Sequence, residues 1–265
     1  IYLTDAIRVA APEPDGATAI ALPNINTPLS IETRADLASA DRELRARITA
    51  HWLAAGVTIV DPMQTYIDAN ARIGPDTVLE PGSHLRGQTV IGRDCHIGPN
   101  AVIDATTVGD RCLLEQCSIT DANLGNDVTV GPFSTLRAGT VLEDGVYIGT
   151  HAETKNAHLR HGVHVGHFSY LGDTEVGAES NIGAGTIFAN YDGKDKHQVT
   201  VKDGAFIGSG SILVAPVTVG KDAMTGAGAV ILQNRDVGDG EVVVGVPARP
   251  HKKNKEDGGG RDCQN

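Results

Sequence analysis

An aliphatic residue followed by glycine or another small or polar residue recurs every six positions from about residue 73 to residue 230. Examples are Ile91-Gly92, Val130-Gly131, Ile148-Gly149 and Ile207-Gly208. An α-helix needs apolar residues every three or four positions, so the period excludes a helical interpretation. It predicts a triangular coil in which each hexad forms one short strand and one turn, with the aliphatic residue pointing inward. Roughly nine such coils would stack about 4.8 Å apart.

A helix is predicted directly before the repeats. Thr33 and Asp36 fit a reciprocal capping box, and Gly56 suits the position just past the last turn. Residues 1–29 contain four prolines and are predicted to be irregular. The helix should pack through one apolar face, formed by Leu37, Leu44, Ile48 and Trp52. The fold class is therefore all-β: a left-handed parallel β-helix of hexapeptide repeats, preceded by a linker α-helix.

One segment interrupts the repeats. Residues 189–199 have no aliphatic residue at the hexad spacing and are predicted to project from the prism as a loop. Such a loop is either a tolerated surface insertion or a functional element on a rigid scaffold. Its Asn, Tyr, Lys and His side chains favour the functional interpretation, because several of them can bind phosphate.

Composition excludes several classes of function. The formal net charge of −11 does not favour nucleic acid or anionic membranes as partners. No apolar stretch approaches the roughly 20 residues that span a bilayer, so a cytoplasmic location is predicted. The four cysteines lack a C-x-x-C spacing and are predicted to be free thiols. The chain begins with Ile1 instead of Met, which we interpret as a fragment of a longer protein.

Several motifs together are more specific than the repeat. They are Gly131-Pro132-Phe133, Thr154-Lys155-Asn156, the segment from His167 to Asp173, Asn181-Ile182-Gly183-Ala184-Gly185, and Asn190-Tyr191-Asp192-Gly193. They resemble the acetyltransferase domain of the bifunctional UDP-N-acetylglucosamine pyrophosphorylase / glucosamine-1-phosphate N-acetyltransferase family. The resemblance implies acetyl transfer from acetyl-CoA to the amine of glucosamine 1-phosphate, supplying UDP-N-acetylglucosamine synthesis and cell wall biogenesis. It implies acetyl-CoA as cosubstrate and no metal in this half.

The resemblance also suggests how the chain is divided. The family's Gly-rich nucleotide loop is absent, and Glu32 stands where the family usually has Asn, so the uridylyl-transferring half is missing here. The predicted parts are 1–32 as the end of a nucleotidyltransferase domain, 33–68 as linker helix and entry segment, 69–250 as the β-helix, and 251–265 as a disordered tail.

Acetyl transfer to an amine requires a base, and His167 suits this role because its ordinary pKa lies near neutral pH. The family's catalytic His matches His167, and Glu153 matches the carboxylate proposed to orient it. Arg137 and Lys155 are 18 residues apart and both follow an inward hexad position, so they should lie on one face of neighbouring coils. An anion between these two cations is the simplest explanation for their proximity.

The resemblance assigns the remaining contacts. It implies that the sugar phosphate is bound by Arg137, Lys155, Tyr170, Asn181 and Lys196. It implies that acetyl-CoA is bound by Ala184, Asn190, Tyr191, Ser209, Ala227 and Arg249. The small residues in the second set equally suit tight turns, and Arg249 equally suits an exposed surface, because the segment around it departs from the family's usual ending.

Three other functions are compatible with parts of the sequence. A zinc enzyme of the γ-carbonic anhydrase type shares this prism, but it needs two histidines five residues apart, and the histidines at 158, 161, 164 and 167 are spaced by three. A non-catalytic trimerising scaffold fits the fold but leaves the cations and the loop unexplained. Acetyl transfer to another amino sugar is also compatible with the sequence, because the shape of the pocket decides the acceptor.

A homotrimer is predicted, with small-molecule substrates and no nucleic acid or membrane partner. Counting hexads places Arg137 and Lys155 on one face, His167 on the preceding face and Asn181 near another corner. These groups cannot line up on one flat side, so a neighbouring prism is expected to complete each site. A monomer whose site wraps around one corner is the alternative.

Overall fold

The computed structural model describes residues 3–12, 16, 18 and 31–251. The chain divides into two compact units, residues 1–43 and residues 44–265. The predicted disordered tail at 251–265 lies almost wholly outside the described residues, as do most of residues 13–30. No helix in the described part of the chain is long and apolar enough to cross a membrane.

In the first unit, residues 3–10 correct the prediction of an irregular segment. Leu3–Ala10 forms an α-helix with acidic Asp5 in its first turn and basic Arg8 in its last. Alanine and other helix-compatible residues fill this stretch, and the first proline follows at Pro12, just past the end. All four prolines come after the helix in the sequence, so they do not interrupt it.

The linker helix spans Arg34–Ala54, and its predicted capping box is confirmed. The Asp36 N–H donates to Thr33 Oγ1 at 3.1 Å, and the Thr33 N–H donates to Asp36 Oδ2 at 2.8 Å. Gly56 follows the helix with a positive φ of 89°, as the C-terminal cap requires. The predicted apolar face is only half confirmed, because Ile48 and Trp52 pack on the core whereas Leu37 and Leu44 are exposed.

The second unit is a left-handed parallel β-helix of about ten coils, one more than predicted. The difference arises because the nine coils were counted over residues 73–230, whereas the strands begin at Thr58 and continue to Val244. A 3₁₀ turn, Pro62–Gln64, follows the first strand. The two strands Glu153–Leu159 and Tyr170–Val176 are longer than the rest and bend across two faces of the prism.

The three faces of the prism are columns of parallel strands in register. The first face contains Thr58–Ile59, Val78–Leu79, His96–Ile97, Leu113–Leu114, Thr129–Val130, Tyr147–Ile148, His164–Val165, Asn181–Ile182, Phe206–Ile207, Met224–Thr225 and Val242–Val244, with Arg249–Pro250 antiparallel at its end. The second face contains Tyr66–Ile67, His84–Arg86, Val102–Asp104, Ser118–Thr120, Thr135–Leu136, the first halves of the two long strands, Ile187–Ala189, Ile212–Val214 and Val230–Ile231. The third face contains Arg72–Ile73, Val90–Ile91, Thr107–Val108, Asn123–Leu124, Val141–Leu142, the second halves of the long strands, Val199–Val201 and Val217–Val219.

The predicted inward positions form the core. Leu136, Ile148, Val165, Ile182 and Ile207 are each 0% exposed. Each such aliphatic side chain contributes roughly 1.5–3 kcal/mol when fully buried, and stacking makes the column continuous. Buried hydroxyls at the turns are paired, so these polar groups carry little desolvation cost. The resulting scaffold holds exposed side chains at fixed positions on its faces and corners.

Candidate active site

The corner between the first and second faces carries a column of residues that includes the predicted base. The carbonyl of each of three members accepts a hydrogen bond from a glycine N–H of the next coil, at 2.7 Å for His167, 2.7 Å for Ala184 and 2.8 Å for Ser209. We call this set the corner column: Thr150, His167, Ala184, Ser209 and Ala227. The structure therefore aligns the predicted base with three predicted coenzyme positions.

The His167 imidazole is exposed and lies against the backbone of the preceding coil. The Thr150 N–H donates to its Nδ1 at 3.2 Å, so Nδ1 carries the lone pair and the neutral ring keeps its proton on Nε2. A Cβ at Gly149 would lie 2.7 Å from this Nδ1, so only glycine at 149 lets the ring approach. Sequence reasoning missed Thr150; its place one coil before His167 in the hexad register was the available signal.

Glu153, predicted to orient His167, is engaged elsewhere in this structure. Its Oε1 accepts from Arg137 Nη1 at 2.9 Å, across neighbouring coils of the second face. Both side chains are about half exposed, so the pair is solvent-screened and contributes little to folding stability. The orienting role of Glu153 stays a prediction.

Three of the predicted phosphate ligands converge on the second face and the projecting loop. We call Arg137, Lys155 and Lys196 the cation cluster. Lys196 lowers the pKa of Lys155, first through its adjacent side-chain amine and then through its charge, and Arg137 lowers it further. Like charges held this close disfavour one another's charged forms. The predicted proximity of Arg137 and Lys155 is thus found, with Lys196 added by the loop.

Two other predicted site residues, Tyr170 and Asn190, lie over the backbone of Gly172. A Cβ at that position would lie 2.4 Å from the Tyr170 hydroxyl and 2.6 Å from Asn190 Nδ2. Asn190 is 6% exposed, and its Nδ2 donates to Asp173. Asp173 belonged to the recognised motif, but sequence reasoning assigned it no role. Tyr191 points away into solvent, and its hydroxyl donates to the Gly193 carbonyl at 2.7 Å.

Two predicted ligands lie apart from the cation cluster. Asn181 projects from the first face, between His164 and Phe206 of the adjacent coils. Arg249 is exposed on the antiparallel strand at the C-terminal end of that face, paired with Val244, and its Nη1 donates to the Ala248 carbonyl at 3.2 Å.

The histidines spaced by three point into four different surroundings. His158 pairs with Glu143 at 2.8 Å, His161 pairs with Glu179 at 3.1 Å, and His164 stacks on Tyr147 at 4.3 Å between ring centroids. Among the described residues, no group of three His, Cys, Asp or Glu side chains is arranged to hold a metal ion. The scattered arrangement follows from three residues being half of the hexad period.

Comparison with known proteins identifies the class. Residues 70–105 match the bacterial transferase hexapeptide family (six repeats), and residues 198–233 match the hexapeptide repeat of succinyl-transferase. The UDP-N-acetylglucosamine acyltransferase from Campylobacter jejuni has the same fold, with a TM-score of 0.56 and 19% identity over 73% of this chain and 74% of that one. With its repeats and its corner site, the chain is a member of the hexapeptide-repeat class of left-handed β-helix proteins.

Within that class the resemblance predicted from the motifs is confirmed. The chain is 42% identical to the bifunctional protein GlmU of Geobacillus sp. (strain WCH70) over 255 residues, which are 96% of this chain and 54% of that protein. It is also 42% identical to the bifunctional protein GlmU of Trichlorobacter lovleyi over 234 residues, 88% of this chain and 51% of that protein. The chain is therefore a GlmU homologue, and it spans about half the length of these curated relatives.

Proposed function

We propose that the chain transfers the acetyl group of acetyl-CoA to the amine of glucosamine 1-phosphate. The observation that carries this proposal is the convergence of Arg137, Lys155 and Lys196. The three cations outnumber the carboxylates that pair with them, and a phosphate dianion would balance the remaining positive charge. The GlmU relationship supports the same substrate class. A sugar without an anionic group would leave this cluster unused.

The proposed reaction needs no group beyond those described. The substrate ammonium first loses one proton to water. His167 then takes a second proton from the amine nitrogen as that nitrogen attacks the thioester carbonyl carbon. The tetrahedral intermediate then expels coenzyme A thiolate, which receives the proton from His167. The Asn190 amide is the proposed donor to the developing oxyanion, as the family resemblance implies.

Substrate binding is proposed to prepare the base. Acceptance of a proton at Nε2 requires the His167 ring to carry its other proton on Nδ1, the nitrogen that now accepts from Thr150. A phosphate bound by Arg137 competes with Glu153 for the same guanidinium. Once released from Arg137, the Glu153 carboxylate is available to orient the imidazole, as the family resemblance implies.

The coenzyme is proposed to lie along the corner column. In successive coils, His167 is followed along this corner by Ala184, Ser209 and Ala227. Glycines flank each of these three residues, so no bulky side chain covers the backbone there. Tyr191, Asn190 and Arg249 are the further proposed contacts. Small side chains along this edge let an extended pantetheine chain approach the backbone.

A homotrimer is proposed as the active form. Phe133, His151 and Phe168 stack along the same corner, with ring centroids 5.0 Å and 4.9 Å apart, and the two phenylalanines are 60% and 63% exposed. An exposed aromatic column beside His167 suits burial against a neighbouring prism. Such a neighbour could also supply Asn181 or the projecting loop to the site.

The deciding assay measures free coenzyme A released from acetyl-CoA with glucosamine 1-phosphate, glucosamine 6-phosphate and glucosamine as acceptors. The proposal expects the highest kcat/KM for glucosamine 1-phosphate. A clear preference for another amino sugar would change the acceptor, and no release with any of the three would favour the scaffold interpretation.

A further inference from the structure

The Asp173 carboxylate lies between two amides of neighbouring coils, at the corner between the second and third faces. Asn156 Nδ2 donates to Oδ1 at 2.8 Å, and Asn190 Nδ2 donates to Oδ2 at 2.5 Å. Each carboxylate oxygen therefore has one amide donor, and the three side chains form a continuous chain across three coils. Because carboxylate acceptors make stronger hydrogen bonds than neutral oxygens, this arrangement fixes both amides.

The backbone at this corner suits these residue types. Asn156 has a φ of 46° and Asp173 a φ of 48°, in the left-handed region. Asn and Asp adopt this conformation more readily than other non-glycine residues. An Asp→Asn change at such a corner therefore keeps both shape and backbone preference, and it removes only the charge and one acceptor.

Asn190 is also the residue at which the projecting loop leaves the prism. The His197 N–H donates to the Asn190 carbonyl at 2.8 Å and closes the loop, and Tyr191 and Lys196 form a bridge just beyond it. A contact that holds Asn190 therefore holds both strands of the loop at their base. Lys196, a member of the cation cluster, depends on this anchor for its place.

Asp173 also acts on Lys155 of the cation cluster through its negative charge. Lys196 and then Arg137 lower the pKa of Lys155, and Asp173 opposes them by raising it. Asp173 and Lys196 line the same open groove of about 440 Å³. One carboxylate thus influences the charge balance of the groove as well as the anchor of the loop.

We propose that Asp173 is a positioning residue for acetyl transfer, which fixes the Asn190 amide at the base of the projecting loop and thereby places Lys196 opposite Lys155. This inference rests on the proposed function, because the reaction being positioned is the one proposed above. Asp173 touches neither substrate in this account; it acts through Asn190 and Lys196.

The test compares Asp173→Asn with the matched control Asp121→Asn. Asp121 lies at the same corner with the same φ of 48°, in an earlier coil remote from the loop. We expect Asp173→Asn to reduce kcat for glucosamine 1-phosphate about 10- to 100-fold, since small misplacements of catalytic groups have effects of this order. Asp121→Asn should retain wild-type kcat.

Two measurements separate positioning from a general structural role. Hydrogen exchange of the His197 amide should accelerate in Asp173→Asn and return toward wild type in the pair-reversing variant Asp173→Asn/Asn190→Asp. The pKa of Lys155, followed by NMR of its side chain, should fall in Asp173→Asn and stay constant in Asp121→Asn. Both variants should keep the same thermal midpoint within a few degrees.

The outcomes are distinguishable. An inactive wild-type enzyme would overturn the proposed function. An active wild type, with Asp173→Asn within threefold of Asp121→Asn in kcat, would overturn the positioning role alone. A loss of activity without faster His197 exchange would also overturn it, because the loop would then be in place without Asp173.

Discussion

Arg137 and Glu153 are joined by an ion pair, with Nη1 2.9 Å from Oε1, on adjacent coils of the second face. The pair links the proposed phosphate site to the carboxylate assigned to the base. In the proposed reaction, a phosphate bound by Arg137 competes with Glu153 for this guanidinium.

Replacing Arg137 by Ala is expected to raise KM for glucosamine 1-phosphate by about 10- to 150-fold, because a charge-assisted contact contributes roughly 1.5–3 kcal/mol. Acetyl transfer to glucosamine, which lacks the phosphate, should be nearly unchanged. Steady-state kinetics with both acceptors measures this. Arg111→Ala is the control, since Arg111 forms an exposed ion pair with Asp127 at 2.7 Å in earlier coils. Equal losses with both acceptors would make Arg137 structural.

Replacing His167 by Ala is expected to reduce kcat by about two to four orders of magnitude, the usual effect of removing a positioned base. Acetyl-CoA affinity, measured by calorimetry, should change little. His161→Ala serves as the control because His161 pairs with Glu179 at a different corner. A loss smaller than tenfold at neutral pH would remove His167 from the base role.

Gly149→Ala is expected to displace the His167 ring, because the added Cβ would lie 2.7 Å from Nδ1. We expect kcat to fall at least tenfold with a small change in thermal midpoint, since a misplaced base loses most of its effect. Gly238→Ala is the control, because its Cβ would meet its nearest atom at an ordinary 3.5 Å. If the two variants have equal kcat, the ring position seen here is not the catalytic one.

Asp192 should make the order of the projecting loop depend on pH. Its Oδ1 accepts from the N–H groups of Lys194 and Asp195, at 2.8 Å and 2.7 Å, and its Oδ2 contacts His197 Nε2 at 2.8 Å. The Asp195 N–H is the largest influence, followed by His197, and together these contacts lower the pKa of Asp192 from 3.8 to about 2. A lowered carboxyl pKa means that the stabilisation is complete above about pH 4 and is lost as the pH falls through about 2.

Amide hydrogen exchange at Lys194 and Asp195 measures this effect. At neutral pH, Asp192→Asn should exchange faster at these two amides than wild type, whereas Asp222→Asn, on a remote corner, should not. If the Asp192 contacts order the loop, wild-type protection should persist at pH 4. Loss of protection already at pH 5 would contradict the assignment.

The trimer proposal predicts complementation between subunits. Lys196→Ala chains and His167→Ala chains, dissociated and reassembled together, should recover activity if the two residues serve one site from different subunits. Sedimentation at assay concentration measures the oligomeric state, and each variant reassembled alone is the control. A fully active monomer would contradict the proposal, and a trimer without recovery would mean that both residues come from one chain.

The hexad period determined most of the fold from the sequence alone. It predicted which residues face inward, and Leu136, Ile148 and Val165 do so, because a coil of short strands offers only one interior position per hexad. The same register predicted that Arg137 and Lys155 lie together. Local rules were similarly sufficient for the Thr33–Asp36 capping box, since its atoms are three residues apart.

Only the tertiary structure decided the contacts that depend on side-chain conformation. The pairing of Glu153 with Arg137, the approach of Thr150 to His167 and the two amides on Asp173 each join residues 16 or 17 apart. The register brings those residues into reach, but side-chain rotamers select among several reachable partners. The return of Lys196 from the projecting loop to Lys155 follows no repeat at all. A loop outside the hexad register carries no periodic signal, and only packing and hydrogen bonds at its base determine its course.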